Sequence, residues 1–132
     1  MYLAIDYGKK RVGLAVGSQF PRGIGVINNP GSFSELAEKI KQLCADYDVE
    51  SVIMGMPKLK SRDRSELSKE IEQLSEKIEL ITGVKVIFEE ESYTSVSAEE
   101  ELKKRGIDVR KNKEKVDELA AILILEQYIG SS

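Results

Sequence analysis

The chain has 132 residues, a length that favours one domain, residues 1–132, able to fold without a disulfide or a structural metal. It has no histidine and one cysteine, which excludes Ser-His-Asp nucleophiles, thiolate zinc sites and CxxC redox motifs. Its net charge of −3 argues against a general polyanion binder. Any catalysis must therefore use carboxylates, Lys, Arg, Ser, Thr, Tyr or a bound metal.

The N-terminus and the hydropathy pattern indicate where the protein works. MYLAIDYGKK places an aspartate inside its apolar stretch, unlike a signal peptide, and no apolar run approaches the roughly 20 residues of a spanning helix. The single Cys44 fits a reducing compartment. We expect a cytoplasmic protein without a membrane partner.

Apolar periodicity predicts a mixed α/β fold. Short strands at 2–6, 12–16 and 23–27 are joined by links that suit antiparallel hairpins. Ser32 and Glu35 then form a capping signal for a first helix. The remaining pattern predicts a strand at 51–55, a helix over 67–81 stopped by Gly83, a strand at 84–88, a shorter helix from Ser97 and a last helix from about Lys113 to Ile129. This order predicts a five-stranded sheet, with three antiparallel strands followed by parallel strands, flanked by helices.

Carboxylates stand at three informative positions. Asp6 interrupts an apolar strand, where a charge is costly unless it is paired or binds metal; capping of the following turn is the alternative. Glu89, Glu90 and Glu91 follow the strand 84–88, and alternation sends Glu90 to one face and its two neighbours to the other. A strand end exposed to solvent is the alternative explanation for these three glutamates. Asp117 lies near the start of the last helix, where the helix dipole also favours an acid.

Together these positions describe one arrangement. Two strand ends and a helix start can converge, and three or four carboxylates form a hard-oxygen site suited to Mg²⁺ or Mn²⁺. Two such ions about 3.5–4 Å apart can activate a water molecule and stabilise the leaving oxygen of a phosphodiester. That chemistry needs no histidine.

Basic residues form three clusters that could contact phosphates, although a solvated surface explains any single one. The predicted contacts are Lys9, Lys10, Arg11, Lys58, Lys60, Arg62, Arg64, Arg110, Lys111 and Lys113. The segment 58–64 has one apolar residue, Leu59, and we expect it to be mobile without nucleic acid. Aromatic residues are 6% of the chain, too few for extended base stacking.

Four motifs resemble those of the YqgF family, also called RuvX or Holliday-junction-resolvase-like. They are LAIDYGKKRVGLAV at 3–16, VIMGMP at 52–57, FEEESYTSVSAEEEL at 88–102 and RKNKEKVDELAAILILEQYI at 110–129. The match runs in order along essentially the whole chain. Two departures stand out: the usual Asp-Glu-Arg is Glu90-Glu91-Ser92, and the usual Asn-Met-Asp-Gly is Lys58-Leu59-Lys60-Ser61.

The resemblance implies a ribonuclease H-like fold and a nuclease dependent on Mg²⁺ or Mn²⁺. Its catalytic metal ligands would be Asp6, the acidic strand end and Asp117, with Glu91 ranked above Glu90 because it keeps the family's residue type. Members are linked to maturation of the 5′ end of pre-16S ribosomal RNA and to Holliday junction resolution. The first substrate is favoured, which makes structured RNA and ribosomal precursor particles the expected partners and branched DNA the alternative.

Two other classes of protein remain open. DYGKKRVGLAV also looks like the first phosphate motif of the actin and sugar-kinase superfamily, although 132 residues cannot supply a second lobe and an adenosine-binding segment. The altered Glu90-Glu91-Ser92 motif allows a non-catalytic nucleic-acid-binding or ribosome-assembly factor. The sequence leaves the oligomeric state open, although a junction resolvase would need a dimer to cut two strands symmetrically.

Overall fold

The computed structural model describes residues 1–57, 66–91 and 94–130, and for Glu91 and residues 94–97 it describes the backbone alone. The segment 58–64 and its predicted mobility therefore fall outside the described residues. The elements, in chain order, are β1 Tyr2–Asp6, β2 Arg11–Gly17, β3 Arg22–Asn28, α1 Phe33–Asp46, β4 Ser51–Pro57, α2 Glu66–Thr82, β5 Lys85–Glu91, α3 Thr94–Lys104 and α4 Lys113–Gly130. In the described ranges no helix is long and apolar enough to cross a membrane.

The five strands form one mixed sheet in the order β3-β2-β1-β4-β5. The pairs β1–β2 and β2–β3 are antiparallel, and the pairs β1–β4 and β4–β5 are parallel. This confirms the predicted fold class. Because β1, β4 and β5 run in the same direction, their carboxyl ends, including Asp6 and Glu91, lie at the same edge of the sheet.

Helices cover both faces of the sheet, and strand alternation decides which residues meet which helices. Leu3 and Ile5 of β1 belong to the core under α1 and α2. Ala4 belongs to a second core, formed with Ile124 and other residues of α4. Helix α3 packs on α4. The fold is therefore three layers, with α1 and α2 on one side and α4, backed by α3, on the other.

Local signals at the ends of helices act as predicted in two places. The Ser32 Oγ accepts the backbone N–H of Glu35 at 3.3 Å, which caps α1. Gly83 follows α2 with φ of 73°, a left-handed conformation that ends a helix at little cost for glycine.

Two predicted boundaries were wrong. Helix α3 begins at Thr94 rather than at Ser97, so the Ser97–Glu100 capping pattern lies inside the helix. Strand β5 continues to Glu91 instead of ending at Phe88, because Glu89, Glu90 and Glu91 pair with the last three residues of β4. Ladder pairing to a neighbouring strand outweighs the poor strand preference of glutamate.

Helix α4 approaches β2 so closely that one position admits glycine alone. A Cβ atom at Gly13 would overlap the main-chain carbonyl oxygen of Asp117. The buried face of α4 near this point begins with Ala120 and Ala121, whose small side chains permit the approach. The contact fixes the start of α4 over the middle of β2.

A carboxylate anchors the same helix to β3. The register shifts between Leu14 and Ala15 of β2, which pair with Gly25 and Gly23 and leave Ile24 as the extra residue of a bulge. Gly25 has φ of 99°, and its N–H donates to the Glu118 Oε2 at 2.6 Å. Strand β3 lies at the edge of the sheet, with β2 as its one neighbour among the described strands. Glu118 therefore supplies the acceptor for the Gly25 N–H that a second neighbouring strand would otherwise supply.

We expect Gly13→Ala to destabilise the fold by about 1–3 kcal/mol, the usual cost of forcing extra atoms into a packed interior. Urea unfolding followed by circular dichroism measures the change. Gly130→Ala is the matched control, because a Cβ there meets no atom within 4 Å. Equal effects of the two substitutions would contradict the close contact.

We expect Glu118→Ala to cost about 1–3 kcal/mol, because it leaves the partly buried Gly25 N–H without an acceptor. Glu126→Ala removes the same side chain from an exposed position of α4 and should change the free energy of unfolding by less than about 0.5 kcal/mol. Loss of stability in both variants alike would argue against the anchor.

Candidate functional site

Asp6 and Asp117 lie on the same side of the sheet. Alternation along β1 puts Asp6 on the face of Ala4, which packs against α4. Asp6 pairs with Gly13 across β1 and β2, and Gly13 is the residue against which the Asp117 backbone packs. Directly paired residues of antiparallel strands have Cβ atoms about 5 Å apart. The fold therefore places the backbones of Asp6 and Asp117 near each other on one face of the sheet, although the two residues are far apart in the chain.

Asp117 has a cationic partner. The Arg11 Nε–H donates to Asp117 Oδ2 at 2.7 Å, and the two side chains are only 25% and 24% exposed. Two other ion pairs among the described residues, Lys9–Glu66 and Arg105–Glu101, are much more exposed. The sequence predicts a phosphate contact for Arg11, whereas in the structure its guanidinium binds the carboxylate of Asp117.

The three glutamates of β5 are separated by strand alternation. Glu89 faces α4, where its Oε2 accepts from Gln127 Nε2 at 2.6 Å. Glu90 pairs with Met56, which packs under α2, and its exposed side chain lies on the opposite face from Asp6 and Asp117. Strand alternation therefore places Glu90 away from the face that carries Asp6 and Asp117.

Glu91, which the family resemblance ranks above Glu90 as a predicted metal ligand, is described by its backbone alone. It is the last residue of β5, in register with Pro57 at the carboxyl end of β4. Strand β4 stands between β5 and β1, so Glu91 lies two strands away from the strand of Asp6.

The donor set fits a hard divalent cation in its chemistry. The described side chains contain no group of three or more carboxylates, histidines or cysteines close enough to hold a metal. They do contain Asp117, a partly buried carboxylate whose charge is balanced by a guanidinium. Carboxylate oxygens are the ligands that Mg²⁺ and Mn²⁺ prefer, so Asp117 has the chemistry of a metal ligand once its oxygens are free of Arg11.

A basic cleft adjoins the carboxylates. A cavity of about 400 Å³ is lined by Arg11, Glu99, Val109, Arg110, Lys113, Val116 and Asp117. A second cavity, of about 330 Å³, is lined by Arg11, Arg110, Lys111, Asn112, Lys113, Glu114 and Lys115. Of the predicted phosphate contacts, Arg11, Arg110 and Lys113 thus line the same cavity as Asp117, and Lys111 lines the adjoining one. We call the two cavities together the basic cleft.

The connection between α3 and α4 holds this cleft in place. Gly106, with φ of 78°, closes α3 while the Ile107 N–H donates to Leu102 O at 3.0 Å. Asp108 Oδ1 then accepts the Arg110 N–H at 2.9 Å, and the Asp108 carbonyl accepts from Asn112 Nδ2 at 2.7 Å. These bonds fix the backbone that carries the basic side chains.

The other predicted phosphate contacts lie elsewhere. Lys9 and Lys10 are exposed in the turn between β1 and β2, and Lys9 lines a separate cavity of about 490 Å³ that also contains Tyr7 and Glu66. Burial raises the pKa of Tyr7, whose hydroxyl donates to Glu70 at 3.1 Å. The predicted contacts Lys58, Lys60, Arg62 and Arg64 fall outside the described residues.

Sequence reasoning missed two acidic residues that the structure brings to this region. Glu118 follows Asp117 but anchors α4 to β3 instead of facing the cleft. Glu99 of α3 lines the 400 Å³ cavity beside Asp117. Neither residue has a local sequence signal. Glu118 binds Gly25, and Glu99 lines a cavity with Asp117, and both of these neighbours are distant in the chain.

Comparison with known proteins shows which family the chain resembles. A family model described as "RuvX: Holliday junction resolvase" matches residues 1–131. Relatives named "Putative pre-16S rRNA nuclease" include one from Thermosynechococcus vestitus, 34% identical over 98% of this chain and 87% of its own. Another, from Dictyoglomus thermophilum, is 32% identical over 98% of this chain and 95% of its own. One from Agathobacter rectalis is 30% identical, covering 96% and 92%.

Solved structures show the same fold. The chain superposes on Thermus thermophilus RuvC in complex with a Holliday junction substrate with a TM-score of 0.62 and 18% identity, covering 99% of this chain and 95% of that one. A second Thermus thermophilus RuvC structure gives a TM-score of 0.60 at 16% identity, covering 98% and 95%. RuvC has a ribonuclease H-like fold, so the expectation for the fold is confirmed.

Proposed function

Because the chain belongs to the RuvX family, we propose that it is a nuclease that hydrolyses phosphodiester bonds with the help of a divalent metal ion. The observation that supports this proposal is the placement of Asp6 and Asp117 on one face of the sheet, with Asp117 lining the basic cleft. A cation site and a phosphate-binding surface are the two parts that hydrolysis of a polyanion requires.

Asp6 and Asp117 would hold the metal with Glu91. Asp6 ends β1, Asp117 enters from α4, and Glu91 ends β5 at the same edge of the sheet. A bound Mg²⁺ or Mn²⁺ would supply activation of water and charge stabilisation of the leaving oxygen. The chain's own part is to hold anionic oxygens at fixed positions and to orient the substrate strand through phosphate contacts.

We favour RNA, specifically the 5′ end of the 16S ribosomal RNA precursor, as substrate. The full-length relatives at 30–34% identity carry that name. The proposed partners are then ribosomal precursor particles, and the location is the cytoplasm, where the free thiol of Cys44 would stay reduced. Branched DNA is the second candidate, because the family model is described as a Holliday junction resolvase.

We expect Asp6→Asn to abolish cleavage while the protein still folds, because the change is nearly isosteric and removes one anionic ligand. The loss should exceed the roughly 10- to 100-fold typical of losing an outer-shell partner. Purified protein is incubated with structured RNA, single-stranded RNA and a four-way DNA junction, each with Mg²⁺ or Mn²⁺. The products should carry 5′-phosphate and 3′-hydroxyl ends, and EDTA should stop the reaction.

Asp46→Asn is the matched control, because Asp46 is an exposed carboxylate at the end of α1 on the other side of the sheet. It should cut at about the wild-type rate. Cleavage by Asp6→Asn at the wild-type rate, or products with 2′,3′-cyclic ends, would contradict the metal-nuclease proposal. Binding of RNA without cleavage under any divalent metal would favour a non-catalytic factor instead.

We expect the double substitution Arg110→Gln and Lys113→Gln to weaken RNA binding, because it removes two positive charges that would neutralise phosphates. The slope of log affinity against log salt should fall by about 0.7–0.9 for each phosphate that is no longer neutralised. Fluorescence anisotropy at several salt concentrations measures both the affinity and the slope.

Lys39→Gln with Lys41→Gln is the control for net charge, because both lysines are exposed on α1, across the sheet from the cleft. An unchanged slope in the cleft variant, or equal changes in the two variants, would argue against phosphate binding there.

A further inference from the structure

Asp117 is held by a cation that belongs to the protein itself. The Arg11 Nε–H lies 2.7 Å from Asp117 Oδ2, and both side chains are about three-quarters buried. Arg11 is the first residue of β2 and Asp117 the fifth of α4, so the pair joins the sheet to the helix that covers it. A charge-assisted hydrogen bond of this length in a partly buried position is among the stronger polar contacts in proteins.

The same carboxylate is the one that the proposed function requires for metal binding. A guanidinium and a divalent cation compete for the same oxygen atoms, since both are attracted to the same anionic lone pairs. Arg11 also lines both cavities of the basic cleft. Its side chain therefore contacts the carboxylate and also lines the surface where phosphates would lie.

We infer that Arg11 is the resident counter-ion of Asp117 and is displaced when a divalent cation binds, so that Arg11 sets the metal affinity of the site. This inference rests on the proposed function. It makes Arg11 a positioning residue that keeps Asp117 neutralised and in place before the metal arrives. Once displaced, the guanidinium remains in the basic cleft, where Arg110 and Lys113 also stand.

Titration calorimetry with Mn²⁺ alone, without nucleic acid, tests the inference. Arg11→Gln should bind Mn²⁺ about tenfold more tightly than the wild type, the order expected when one charge-assisted hydrogen bond no longer has to be broken. Arg110→Gln is the matched control, since it removes the same charge from the same cavity and leaves the Arg11–Asp117 ion pair in place. It should raise the affinity much less.

A double-mutant cycle separates this role from a general charge effect. In an Asp117→Asn background, Arg11→Gln should have no larger effect on Mn²⁺ affinity than Arg110→Gln. Where Arg11→Gln fails to fold, Arg11→Lys replaces it and Arg110→Lys becomes its control, because lysine keeps the charge and lacks the Nε donor. Tighter Mn²⁺ binding by Arg11→Lys than by Arg110→Lys would support the displacement.

The outcomes distinguish the inference from the proposed function. Equal Mn²⁺ affinities of the Arg11 and Arg110 variants, in a protein that binds Mn²⁺ and cuts RNA, overturn the inference and leave the nuclease intact. Tighter binding by the Arg11 variant, in a protein that cuts nothing, supports the displacement and overturns the nuclease. Failure of every variant to bind Mn²⁺ overturns both.

Discussion

The contact between the backbone of α4 and Gly13 of β2 is the constraint on which the site depends. With no Cβ atom at Gly13, the carbonyl oxygen of Asp117 can lie directly against the sheet. Gly13 is also the cross-strand partner of Asp6. One missing methyl group therefore fixes the distance between a helix and a strand, and with it the separation between the backbones of Asp6 and Asp117.

The carboxylate of Asp117 is partly buried, and a charge in such a position is costly unless a cation stands beside it. Arg11 supplies that charge from the start of the next strand, ahead of Gly13. Glu118 faces away, because its carboxylate is bound to the Gly25 N–H. The helix thus presents Asp117 to the cleft and uses the adjacent Glu118 to hold itself in place.

Local patterns in the sequence are enough to predict the strands, the helices and the mixed character of the sheet, because periodicity reports directly which residues are buried. Asp6 stands out as a candidate ligand for the same reason, because it is a charged residue inside an otherwise apolar strand. The pairing of Arg11 with Asp117 spans 106 positions and leaves no local trace, so the sequence predicts only a phosphate contact for Arg11. The boundaries of β5 and α3 differ from the prediction because strand pairing and helix extension depend on neighbours distant in the chain.

The chemistry of the site does not by itself choose between RNA and branched DNA. Aromatic residues make up 6% of the chain, so recognition must rest on phosphates and on the shape of the backbone, which both substrates offer. The two reactions differ in symmetry. Maturing the 5′ end of a precursor needs one cut in one strand, for which a single copy of this site suffices. Resolving a four-way junction needs two cuts related by a two-fold axis, and so two sites held at a fixed separation. On the proposed function, the choice between the two substrates would therefore depend on how copies of the chain assemble more than on the proposed carboxylate ligands.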